Sequence, residues 1–152
     1  MEQRLNVEKA APGAVRALFG VHVYLKQCGL EEALLHMVYL RASQINGCAY
    51  CTDMHWKDAR HAGIDEQKLS LVAVWRESPF FTDRERAAFA WTEAVTLIAA
   101  NHVPDEVYRV AREQFGEAEL VNLTLAVGAI NSWNRLAISF RKEAGAYKVT
   151  AA

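Results

Sequence analysis

Between Gln44 and Gly63 the sequence runs QINGCAYCTDMHWKDARHAG, gathering two cysteines, two histidines and two aspartates into one short stretch. If a helix starts near Cys48, then Cys48, Cys51, His55 and Asp58 follow at spacings of three, four and three and share one face. A cysteine in the first turn of a helix feels unpaired backbone N–H groups and the positive end of the dipole, and both favour thiolate over thiol. His55, one turn beyond Cys51, is placed to take or return the Cys51 proton, and Asp58, a further turn on, to hold that imidazole. The spacing therefore describes a reactive thiol with its own base.

Other chemistries use the same residues. Cys48, Cys51 and His55 offer zinc three ligands, but a structural zinc takes four and no second knuckle is evident. His61 points partly off the face, and Cys28, in KQCGL, has no paired neighbour. The expectation is no metal. A thioredoxin-type dithiol follows a strand, whereas the segment before Cys48 reads as helix. Inert buried thiols are the bland alternative. Cys28 reads as a small buried hydrophobe, and His22, His61 and His102 as surface or core residues. For Trp133, Asn134 and Arg135 the plain reading is a buried indole with hydrogen bonds from its two neighbours.

The elements that must position these groups read as helices. Pro12 opens a pattern through Val15, Leu18, Phe19, His22 and Leu25 that Gly29 ends, and a second pattern runs from Glu31 to Gln44 and stops at Asn46–Gly47. The third begins near Cys48 and ends at Gly63. DEQKLSLVAVW reads as a short helix, with a lone strand over LSLVAVW as the rival, followed by the loop ESPFFT. Thr82 and Glu85 satisfy a capping box, so a helix starts there and continues through AAFAWTEAVTLIAAN. Pro104 stands at a helix N1 position, and a last long helix covers Glu117 to Glu143. No segment alternates with the period of a strand, so the fold class is all-α with about seven helices. Two of these, Ala87 to Ala100 and Leu120 to Phe140, are apolar around most of their circumference. A small monomer struggles to cover such helices, which points to a homo-oligomer.

At 152 residues and 17.0 kDa the chain is the size of one domain, 1–152. Lys and Arg number 17 against 18 Asp and Glu, with no basic tract, which argues against a nucleic-acid partner. Leu120 to Asn134 lacks charge, but it carries Asn122, Thr124, Asn131 and Ser132 and falls short of the roughly 18 apolar residues a spanning helix needs. It reads as a buried helix and not a membrane span. MEQRLNVEKAAPGAV has no apolar signal-peptide core, so the expected location is cytoplasmic. There the three cysteines would not form a structural disulfide framework.

LRASQINGCAYCTDMHWKDARHAG, with INSWNRLAISF downstream, resembles the alkylhydroperoxidase AhpD-like branch of the carboxymuconolactone decarboxylase superfamily over most of the chain. The resemblance implies an all-helical fold, homo-oligomers and thiol-dependent peroxide reduction. It makes Cys51 the thiol that attacks peroxide. Cys48 then closes a disulfide and meets an external thiol reductant such as a lipoylated or thioredoxin-like protein, with His55 in the proton relay. No bound cofactor is needed. Two positions depart from the family pattern: His36 stands where a relay glutamate is common, and Tyr50 where the best-known members carry histidine. His36 either replaces the glutamate as a base, since imidazole titrates near neutrality, or marks lost peroxidase activity. The alternatives are a carboxymuconolactone decarboxylase-like lyase, whose chemistry has no need of vicinal thiols, and a non-catalytic thiol sensor or structural oligomer.

Overall fold

A computed structural model describes residues 2–149. Nine α-helices and one 3₁₀ helix follow one another, with no strand among the described residues. They are α1 (Val7–Ala10), α2 (Pro12–Leu25), α3 (Glu32–Asn46), α4 (Ala49–His61), α5 (Glu66–Ser70), the 3₁₀ helix (Val72–Glu77), α6 (Asp83–Thr96), α7 (Ile98–Asn101), α8 (Asp105–Gln114) and α9 (Glu117–Ser139). None is long and apolar enough to cross a membrane.

The all-α expectation holds, but ten helical elements replace about seven. Leu97 leaves helical geometry and splits the long apolar run into α6 and α7, and DEQKLSLVAVW divides into α5 and the 3₁₀ helix instead of forming a strand. Asn6 adds α1 by accepting from the Lys9 N–H with its side chain. Pro104 is the cap of α8 and not its first residue, because its ψ of 144° is extended. The last helix stops at Ser139, short of Glu143. Arg141 turns left-handed at φ 55°, and the Lys142 N–H returns to the Ala137 carbonyl at 2.9 Å. The capping box at Thr82 and Glu85 forms as read, with both reciprocal hydrogen bonds present.

Helix α3 is the central element, packed on α4 along one side and on α6 and α9 along others. Leu34, Leu35, Val38 and Ala42 join Ala88, Trp91, Leu123 and Val127 in the larger core cluster, which also contains Cys48 and Cys51. A second cluster, with Leu40, Leu69, Val72, Trp75 and Phe89, lies on the opposite flank of α3. Glu93 ties the elements together. Its carboxylate accepts from Arg41 Nε on α3 at 2.8 Å and from Trp75 Nε1 at 2.8 Å, and pairs with Arg76 at 2.6 Å.

Candidate active site

The turn between α3 and α4 sets the first thiol. Gly47 takes φ 68°, a left-handed conformation that other residues adopt only with strain. It lets the Cys48 N–H reach back to the Ser43 carbonyl at 2.9 Å, closing a Schellman turn on α3. Cys48 is also the N-cap of α4, its sulfur accepting from the Cys51 N–H at 3.3 Å. One residue thus ends one helix and starts the next. The sequence reading placed Cys48 in the first turn; the structure sets it at the cap, with the helix beginning at Ala49.

Cys48 and Cys51 are both buried, and their sulfurs stand 2.6 Å apart. The Cys51 S–H donates to Cys48, and the Cys51 N–H and the Asn134 amide add to that support. Against the opposing effect of burial, they bring the Cys48 thiol down to about 7. The same hydrogen bond, together with burial and the neighbouring charge, pushes the Cys51 thiol well up. The pair therefore holds one proton between two sulfurs, and the first thiolate forms on Cys48.

Asn134, fully buried on α9, accepts from Asn46 at 2.8 Å and donates to Ser43 at 3.1 Å, fixing the end of α3 beside the sulfurs. Arg135 bonds Asn131, and Trp133 is half-buried against a cavity. The expected set of hydrogen bonds around Trp133 is therefore replaced by an amide network around Cys48, invisible in the sequence because its members lie on different helices.

Cys51 lines that cavity, which has a volume of about 730 Å³. Its walls are mostly apolar and aromatic, with Phe19 and Tyr39 on the helical side and Leu5 and Tyr147 from the two terminal segments. His22, His36, His55, Asp58 and His61 also face it. The sequence reading gave His22 and His61 surface or core roles; helical spacing within one element gave no sign that separate helices would bring them together. His102, at φ 51°, ends α7 away from this wall. Cys28 is half-buried against the core instead of fully enclosed.

His55 lies under the cavity with its ring 5.0 Å from that of Tyr39. Burial, with smaller contributions from His36 and His22, pushes its imidazole down to about 3, so it is neutral at physiological pH. Asp58 does not clamp it. Its Oδ2 is 3.9 Å from His55 Nδ1, beyond a hydrogen bond, and its Oδ1 accepts from the Tyr147 hydroxyl at 2.7 Å. His36 reaches the same place from α3, because α3 packs along α4. One donor atom each of His36, His55 and Asp58 falls within 4.8 Å of the others. Burial also lowers the His36 imidazole, partly offset by Asp58 and Glu32. Tyr50, at the other family departure, lies under Lys142, whose Nζ is 4.5 Å from the ring centroid. Lys142 in turn pairs with Glu8.

The sequence pattern of the "Carboxymuconolactone decarboxylase family" matches residues 10–94. The chain belongs to this family. Within the carboxymuconolactone decarboxylase family it falls in the AhpD-like branch. The supporting likeness is a crystal structure from Agrobacterium tumefaciens, described as a protein of unknown function and candidate antioxidant defence protein AhpD. That protein is 45% identical to this chain, covers 96% of it and 100% of its own chain, and superposes with a TM-score of 0.93. The uncharacterized protein YdfG of Bacillus subtilis (strain 168) is 38% identical over 144 residues, which span 95% of this chain and 98% of its own. The debrominase Bmp8 shares the fold at a TM-score of 0.79 and 17% identity, over 91% of this chain and 74% of its own.

Proposed function

We propose that the protein is a cytoplasmic dithiol peroxidase, and the observation that carries this is a pair of buried sulfurs 2.6 Å apart with Cys51 open to a largely apolar cavity. The Cys48 thiolate takes the Cys51 proton across that contact. The Cys51 thiolate then attacks the peroxide: an S–O bond forms and the O–O bond breaks. The departing alkoxide takes the proton from Cys48 and leaves as alcohol. Cys48, again a thiolate, attacks the Cys51 sulfenic sulfur, forming S–S and expelling hydroxide, which is protonated to water. An external dithiol supplies two electrons and two protons to reopen the bridge. His55 and His36, neutral and lining the same cavity as Cys51, exchange protons between the thiols and the cavity, with His36 in the place of the family glutamate. The Agrobacterium relative's description in antioxidant defence agrees with this reading.

The test is peroxide consumption by the reduced protein, supplied in turn with dihydrolipoamide, a lipoylated protein and thioredoxin, with mass spectrometry of the thiols after peroxide treatment. Peroxide loss with at least one reductant and a Cys48–Cys51 bridge is the expected outcome, with Cys28 left free. A dominant Cys28 bridge, or no turnover with any reductant, overturns the proposal. Decarboxylation of carboxymuconolactone in place of peroxide turnover assigns the lyase reading instead.

A further inference from the structure

His55 is more than nine-tenths buried, yet neither Nδ1 nor Nε2 has a hydrogen-bond partner, and His36 Nδ1 is buried without one as well. Leaving such groups unmet forfeits their hydration with nothing in return, so native proteins almost always supply a partner. Both imidazoles face Asp58, whose Oδ1 is held by Tyr147 while Oδ2 turns toward His55. Two imidazoles and a carboxylate therefore converge on one point at the cavity wall, their donor atoms within 4.8 Å of one another.

We propose that His36, His55 and Asp58 form a binding site for a borderline divalent cation of the Zn²⁺ class. Imidazole and carboxylate donors suit Zn²⁺, Co²⁺, Ni²⁺ and Fe²⁺ over Mg²⁺ or Ca²⁺, which prefer all-oxygen shells. Bonds of about 2.0–2.1 Å require tetrahedral donors roughly 3.3 Å apart, so donors within 4.8 Å of one another close by up to about 1.5 Å on loading. The hydrogen bond from Tyr147 to Asp58 is the outer-shell support that ligating carboxylates usually have. The cavity leaves the remaining position open. This donor set differs from the Cys48, Cys51 and His55 set that the sequence suggested, because it crosses from α4 to α3.

On the peroxidase reading, a bound cation occupies the nitrogens of both relay histidines and slows Cys51 oxidation. The binding test does not depend on that reading. Chelator-stripped protein is titrated with Zn²⁺ by calorimetry and with Co²⁺ by visible absorption. The expected result is a single equivalent bound in both wild type and the Cys48→Ser/Cys51→Ser double variant. His55→Ala abolishes binding, Asp58→Asn, which removes the ligand's charge, weakens it, Tyr147→Phe, which removes only the outer-shell hydrogen bond, weakens it by about 10–100-fold, and His36→Glu, which keeps a donor, retains it. Circular dichroism confirms that each variant is folded. No binding by wild type at micromolar Zn²⁺ overturns the site. So does binding that disappears with the thiols but survives His36→Ala, since the cation would then be held by sulfur. Slower peroxide turnover in Zn²⁺-loaded protein adds the coupling; unchanged turnover with binding intact keeps the site and removes His36 and His55 from the relay.

Discussion

Replacing Cys51 with alanine tests whether its S–H is what makes Cys48 acidic. An ordinary thiol at 9.0 is about 1% ionised at pH 7, whereas one at about 7 is half ionised, a gain near 50-fold in thiolate. Two units correspond to roughly 3 kcal/mol of preference for the charged form. The Cys51 side chain is the largest contributor, and what it leaves behind is burial, which works against ionisation, plus the Cys51 N–H and the Asn134 amide. Cys51→Ala should therefore move the Cys48 midpoint up by more than a unit, so that less than about a tenth is ionised at pH 7. Cys51→Ser keeps a donor and should hold the midpoint near the wild-type value. The assay is the ultraviolet absorbance of thiolate during a pH titration, in a Cys28→Ala background with chelator present, and it does not depend on reagents reaching a buried sulfur. A wild-type midpoint near 9, or a Cys51→Ala midpoint unchanged from wild type, refutes the argument.

Glu93→Ala should destabilise by about 1–3 kcal/mol in urea unfolding at pH 7, because it strips the partner from the half-buried Arg41 and leaves Trp75 without an acceptor. Although burial opposes it, donation by Arg76, Trp75 and Arg41 holds the folded Glu93 carboxyl below its ordinary 4.5. Its stabilisation is thus complete above that value and lost as pH falls through the folded value, so the gap between variant and wild type should narrow in acid. Val121 and Leu125 stand one turn apart on α9 and are 67% and 40% exposed, a face that a second copy would cover. Light scattering should find an oligomer, and Val121→Glu with Leu125→Glu should shift it toward monomer; a wild-type monomer at micromolar concentration sinks that expectation.

What the sequence made legible was written in neighbouring residues. The Thr82–Glu85 box, the stop at Asn46–Gly47 and the face shared by Cys48, Cys51 and His55 each depend on groups a few positions apart, where helix geometry alone fixes who meets whom. What was not legible depends on packing between helices. Asp58 was expected to hold His55 and instead accepts from Tyr147, 89 positions away. Asn134 supports Cys48 from α9, and His22 enters the cavity wall from α2. The meeting of His36 with His55 had no basis in spacing; only the family resemblance marked the position. The break at Leu97 was hidden by uniformly apolar surroundings, since a run of good helix formers carries no local sign of where tertiary contacts will interrupt it.

The two terminal segments close the cavity by means quite different from those that hold the core. On one side Leu5 and Val7 line it, anchored by the Arg4 N–H to the Phe140 carbonyl and by the pair between Glu8 and Lys142. On the other side Tyr147 and Val149 line it, anchored by Asp58 and by Lys57 reaching the Tyr147 carbonyl. Contacts of this polar, half-buried or exposed kind contribute on the order of 0–2 kcal/mol apiece, whereas a truncation inside the helical core costs several. The bore of the chamber is thus insulated from the folding energy of the domain. Substitutions at Leu5, Val7 and Val149 should therefore widen, narrow or re-line the chamber with little threat to the scaffold, because the lining they supply is separate from the helical core.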